Sequence, residues 1–167
     1  SFNYPHLCEA GVNFNFNEHN ILKPDFTKPM IPHFELDNNV IIFSLFPGIE
    51  EHLIHHMFDA PELRSIVMRS YGSGNAPQYP WLMDLLRKVS ERDIIVVNIS
   101  QCISGQVEMN RYDTGYQLKD AGVISGFDST VEAAVTKLMY LQAKYKDSTT
   151  IRKYMNQSIA GEITVFC

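Results

Sequence analysis

The chain has 167 residues and 19.1 kDa, of which 45% are hydrophobic and 20% charged, the balance of one folded domain with its own core. Fourteen Lys and Arg against 19 Asp and Glu leave a net charge of −5 and a pI near 5.6. That argues against nucleic acid or an anionic membrane as partner, because both need a basic stripe.

Cys8, Cys102 and Cys167 form neither a disulfide framework nor a zinc motif, and they suit a reducing, cytoplasmic compartment. No apolar run approaches the ~18 residues of a membrane span. The opening Ser-Phe-Asn-Tyr-Pro lacks the basic and apolar regions of a signal peptide. Without an initiating Met, the sequence reads as a processed chain or, better, as a piece of something longer.

Residues 1–38 read as a loop-rich lead-in from an interdomain region, broken by Pro5, Pro24, Pro29 and Pro32. Within it, Val12-Asn13-Phe14-Asn15-Phe16-Asn17 alternates with period two, which predicts one edge strand with a single buried face. Residues 18–36 read as flexible. Residues 39–167 change character and form an α/β domain. Val40–Phe43, Ile66–Met68, Ile94–Val97 and the shorter Val123-Ile124 are apolar, β-branched runs typical of strands buried on both faces.

A short helix carries His52, His55 and His56, with Leu53, Ile54, Met57 and Phe58 as its apolar face. Trp81, Leu82, Leu85, Leu86 and Val89 predict a helix from Pro80, a favourable first-turn residue. Ser129-Thr130-Val131-Glu132 matches a capping box opening a helix towards Lys146. A last helix starts at Asp147 or Ser148 and runs to about Asn156. The fold class expected is a small open parallel sheet of about four strands with helices on both faces, a three-layer Rossmann or flavodoxin-like domain.

Ligands of such sheets sit at the C-terminal ends of the strands. Three loops should gather there: Phe46–Ile49, Ser70–Pro77 and Ser100–Gly105, rich in Gly, Ser, Asn and Gln. They suit a small polar ligand with a carboxylate or amide. Gly72-Ser73-Gly74 is either part of a dinucleotide fingerprint, lacking the third glycine because position 77 is Pro, or a tight strand-to-helix turn. Arg69 either clamps a carboxylate at this edge or pairs structurally with an Asp or Glu. His52 and His56 have the i,i+4 spacing of a metal pair, but no third ligand is evident and no metal is assigned. Cys102 lacks a nearby basic group and reads as a neutral contact rather than a nucleophile. Glu108, Asp113 and Asp120 lie in a loop-like stretch where spacing alone does not show an acid–base pair.

These loops carry a resemblance. Arg69–Pro77, Val97–Cys102 with Ser104-Gly105, Tyr112-Asp113-Thr114-Gly115, Ala121–Asp128, Thr130–Ala134 and Leu45–Ile49 resemble the C-terminal domain of the type I (cytoplasmic) L-asparaginases over roughly residues 38–165. The resemblance implies hydrolysis of asparagine to aspartate and ammonia by a threonine nucleophile on an N-terminal domain. The Thr-Gly-Gly-Thr motif and Thr-Asp-Lys group of that domain are absent here, so the chain alone is expected to be inactive, with no catalytic residue of its own and no cofactor.

It further implies that Asn75, with Gly74 beside it, reaches the substrate from a neighbouring subunit of a homodimer or tetramer, with Tyr112 nearby. Arg69 and Cys102 match a regulatory asparagine site. Two alternatives stand beside this: the asparaginase-like subunit of a tRNA-dependent amidotransferase, disfavoured by the missing basic stripe, and a non-catalytic amino-acid-sensing domain.

Overall fold

The computed structural model describes residues 5–110 and 113–164. The chain divides into two units between Phe34 and Glu35.

In the first unit the alternating run does not make one strand. Cys8–Ala10 (β1) and Phe14–Phe16 (β2) pair antiparallel as a hairpin, with Cys8 opposite Phe16 and Val12 at the turn. The period-two pattern is thus cut by the turn, and β1 was not legible because the alternation of Cys-Glu-Ala is only three residues long. The expected buried face is not found within this unit: Phe14 and Phe16 are 71% and 62% exposed.

The second unit is built on four parallel strands, Val40–Ser44 (β3), Ser65–Ser70 (β4), Ile95–Ser100 (β5) and Ile124–Ser125 (β6), in the spatial order β3-β4-β5-β6. Among the described residues, five helices cover them: Glu51–Phe58 (α1), Pro80–Glu91 (α2), Asp113–Asp120 (α3), Val131–Lys144 (α4) and Ser148–Met155 (α5). Strands in sequential order joined by right-handed crossovers place all the connecting helices on one face. The core agrees. Ile54 and Phe58 of α1, Leu82 and Leu86 of α2 and Leu118 of α3 pack on Ile66, Met68 and Val96. Leu138 and Leu141 of α4 with Ile151 and Met155 of α5 pack on Val67, Ile95, Val97 and Ile99 on the other face. The three layers match the expectation. No reversal of strand order opens a crevice between strands, so the loops must build the site.

Local chemistry sets the helix ends. Pro80 occupies the first position of α2, as its fixed φ favours. Helix α4 begins one residue later than expected: Thr130 is the cap and accepts from the Ala133 N–H at 3.2 Å, while Ser129 donates to the Thr130 carbonyl. The third helical residue is therefore Ala133 and no capping box forms. Asp147 caps α5 by accepting from Thr149 at 3.3 Å and Thr150 at 2.7 Å. On α1, only Ile54 and Phe58 are buried, and Leu53 and Met57 are 53% and 38% exposed, so the expected four-residue apolar face is half as wide.

Helix α3 lies where a loop was expected. Its buried positions are Gly115 and Leu118 alone, too few to make a helical period legible. Asp113 and Asp120 are its first and last residues, about 10 Å apart along the axis, which separates them too far for an acid–base pair. The segment after α5 is tied down by a buried cation. Lys137 Nζ bonds Glu162 Oε1 at 2.6 Å and the carbonyls of Met155 and Gln157 at 3.3 and 2.5 Å.

Candidate functional site

The ends of β3, β4 and β5 do lie on one edge of the sheet, as their parallel register requires. Gln101 laces them together: its Nε2 donates to the carbonyls of Leu45 at 2.6 Å and Arg69 at 2.9 Å, and its backbone N–H to Ser70 at 2.9 Å.

Beyond β4 the chain closes a tight loop. Tyr71 and Asn75 form an antiparallel bridge, with Tyr71 N–H to Asn75 O at 2.9 Å and Asn75 N–H to Tyr71 O at 2.8 Å. Gly72 and Gly74 sit at φ of +49° and +105°, the left-handed side that non-glycine residues avoid. Helix α2 starts only at Pro80, so this is neither a dinucleotide turn nor a strand-to-helix turn. The Gly74 N–H is spent on Tyr71 O at 3.0 Å. Burial, and then the neighbouring Tyr79, push the Tyr71 phenol above its ordinary value, so it stays protonated and is no base at neutral pH.

Three segments press on this loop. Asn98, fully buried in β5, donates from Nδ2 to the Gly74 carbonyl at 3.0 Å. Ser100 Oγ donates to the Gly72 carbonyl at 2.6 Å, and the Glu108 N–H to the Ser73 carbonyl at 2.9 Å. A Cβ on Gly74 would lie 2.8 Å from Val107 Cγ1, so that position has no room for a side chain. At the loop's end, Asn75 Oδ1 accepts from Thr114 Oγ1 of α3 at 2.8 Å. Asn75 is therefore a half-exposed amide on a rigid mount, at the strand edge where a ligand would meet it.

Arg69 stands elsewhere. It alternates with Val67 along β4 and so shares the α4–α5 face, whereas Asn98, beneath the Asn75 loop, shares the α1–α3 face with Val96. Its hydrogen bond is a long one, Nη1 to Ser44 Oγ at 3.4 Å, and its buried Nε has no partner among the described residues. The structural Asp or Glu pair considered for it is not found among the described residues. Cys102 is an exposed free thiol whose N–H donates to Ser100 Oγ at 3.0 Å. It follows Gln101, which bonds the Arg69 carbonyl. Tyr112 lies outside the described residues.

His52 and His55 face Glu50 and Glu51 at 3.6 and 3.3 Å on the solvated side of α1. Among the described residues, no group of three or more His, Cys, Asp or Glu is arranged to hold a metal ion. Likewise, no helix is long and apolar enough to cross a membrane. An open cleft of about 790 Å³ lies beside β6, lined by Val107, Glu108, Met109, Lys119, Ile124 and Phe127 among others, and among the described residues its lining includes none of Arg69, Gly74, Asn75 and Cys102. Asn98, Gln101 and Thr114 were missed as working residues. Asn98 left a signal, a lone amide inside the run Ile94–Ile99; Thr114 left none, because its helix was not legible.

The class this architecture defines is a parallel α/β domain presenting polar loops at one strand edge. Residues 39–155 match the family described as the Glutaminase/Asparaginase C-terminal domain, and the chain belongs to that family. It is 40% identical over 162 residues to L-asparaginase 1 of Escherichia coli K12, covering 97% of this chain and 47% of that protein. It is 35% identical over 159 residues to the human 60 kDa lysophospholipase, covering 95% of this chain and 27% of that protein. The crystal structure of L-asparaginase I from Vibrio cholerae superposes with a TM-score of 0.90 at 36% identity, over 98% of this chain and 49% of that one. The chain thus spans about half the length of the asparaginases it matches.

Proposed function

We propose that this chain is the C-terminal half of a cytoplasmic L-asparaginase and completes, in a homodimer or tetramer, a site whose threonine nucleophile lies on the other half. The observation that carries the reading is the likeness of nearly the whole chain to one half of a solved L-asparaginase I. The chain's own chemistry agrees with that division of labour. The sequence lacks the Thr-Gly-Gly-Thr and Thr-Asp-Lys groups, so an activated hydroxyl and its base must come from elsewhere. What this half offers is a fixed amide. Asn75, with Gly74 setting the loop beneath it and Tyr112 nearby, contacts the head group of asparagine or aspartate. Arg69 and Cys102 line a second asparagine site on the other face, where the guanidinium clamps the effector carboxylate. No cofactor or nucleic acid takes part.

Rates measured on the two halves combined test both assignments. Asn75→Ala should cut kcat/KM for asparagine by about tenfold or more, the scale of one lost hydrogen bond to a charged group. Arg69→Ala should turn a sigmoidal dependence on asparagine into a hyperbolic one. Parental kinetics in the first variant would remove Asn75 from the site. Sigmoidality surviving in the second would remove the regulatory assignment. Ammonia released without tRNA would separate the enzyme from an amidotransferase subunit.

A further inference from the structure

We infer that Thr114 is a positioning residue that presets the Asn75 amide as a hydrogen-bond donor, so that the ligand group Asn75 meets is an acceptor, the α-carboxylate of the amino acid. The inference rests on the reading that Asn75 touches the substrate. A primary amide on a free rotor offers a donor end and an acceptor end with equal ease, and the head group of asparagine presents both an ammonium donor and a carboxylate acceptor. The two pairings are chemically opposite, and something must choose between them.

Here the choice is built into α3. Thr114 Oγ1 donates to Asn75 Oδ1 at 2.8 Å, which engages the acceptor end and fixes the amide plane. The Nδ2 end has no partner among the described residues. The mount on either side is rigid. Asn75 is bonded through both its N–H and its carbonyl to Tyr71, and Gly74 is held by Asn98. Thr114 is held in turn by its neighbour: a Cβ at Gly115 would lie 2.3 Å from the Met109 carbonyl oxygen, so α3 rests its backbone directly on the Met109 backbone. Only glycine allows that approach, and the approach brings the Thr114 hydroxyl to the Asn75 amide. An amide oriented before the ligand arrives has less rotational freedom to lose on binding, and it discriminates by sign as well as by shape.

The test is a set of four variants in the two halves combined, read by KM and kcat for asparagine and by titration of aspartate binding. Thr114→Val keeps the volume and removes the hydroxyl. It should raise KM and weaken aspartate binding by roughly three- to tenfold, with kcat carrying little of the loss, because the contact is made alike in the ground and transition states. Thr114→Ser keeps the hydroxyl and should recover most of the affinity. Asn75→Asp presents only acceptors to the ligand and should weaken binding at least as much as Asn75→Ala, by repulsion of the carboxylate.

If Asn75→Ala leaves binding unchanged, the reading of the site fails, and this inference with it. If Asn75→Ala weakens binding but Thr114→Val does not, or Thr114→Ser fails alongside Thr114→Val, the positioning role is overturned while the site stands. If Asn75→Asp binds as tightly as the parent or tighter, Asn75 faces the ammonium, and the assignment to the carboxylate is overturned.

Discussion

Replacing Lys137 by Ala is expected to lower the stability of the chain by roughly 3–5 kcal/mol, the cost of breaking a buried ion pair from one side. Lys137 and Glu162 side chains are 5% and 14% exposed, so neither charge has water to fall back on. The variant strands the Glu162 carboxylate and leaves the Met155 and Gln157 carbonyls without their donor. Glu162 is more than a counter-ion: its carboxylate accepts from the Ile159 N–H at 3.0 Å and the Ala160 N–H at 2.6 Å, and so folds the turn after α5. Glu162→Gln should cost less, since an amide oxygen still accepts from those N–H groups. Burial alone would raise the Glu162 carboxyl, but the Lys137 ammonium and the two backbone amides outweigh it and hold it below its ordinary value.

The sign of the pH effect follows. A depressed carboxylate contributes stability that is present above its unfolded value, 4.5, and is lost as pH falls through the lower folded value. Urea unfolding of the parent between pH 7 and pH 3 should show that loss. Glu162→Gln should flatten it, and a parallel acid limb in both proteins would remove Glu162 as its source.

The second large effect is expected at Gly115→Ala. Two terms oppose each other. Alanine in place of glycine inside a helix favours the helix by about 1 kcal/mol. Against it, the new methyl would sit 2.3 Å from the Met109 carbonyl oxygen and 2.8 Å from its carbonyl carbon, and backbone cannot rotate aside as a side chain can. Overpacking of this kind costs about 1–3 kcal/mol, so a net destabilisation of about 1 kcal/mol is expected. The functional loss should be the larger one. Retreat of α3 carries Thr114 away from Asn75, and kcat/KM should fall about tenfold, at least as much as Thr114→Val lowers it alone. A stabilised protein with parental kinetics would mean that α3 yields without moving Thr114.

The parallel sheet was legible because strands buried on both faces need unbroken apolar runs, and Ile66–Met68 and Ile94–Val97 supply them. Helices α2 and α5 were legible from Pro80 and Asp147, residues favoured at a helix start. What stayed hidden had no periodic signal to give. Helix α3 buries two residues, one of them a glycine, because its task is to approach backbone rather than fill a core. The hairpin of β1 and β2 has strands of three residues, shorter than any alternation can certify. In the site, the loop glycines announced a turn but not its kind. The Tyr71–Asn75 closure depends on hydrogen bonds from Asn98, Ser100 and Glu108, which are 24 to 35 positions away from the partners they hold, roughly the span of a whole β–α unit. Arg69 lies near the C-terminal end of β4, but which face it takes is a matter of register: it pairs with Ile99, on the sheet face away from Asn98.

The central claim is that this half of the protein carries the substrate mount and the other half carries the nucleophile. Ammonia release from asparagine, measured with this chain alone and after mixing with the N-terminal half of an L-asparaginase I, tests it most directly. The account predicts no release from the chain alone and threonine-dependent release from the mixture, abolished when the nucleophilic threonine of the added half is replaced. Release from the chain alone would contradict it, and would require a nucleophile among the loops that follow β4 and β5.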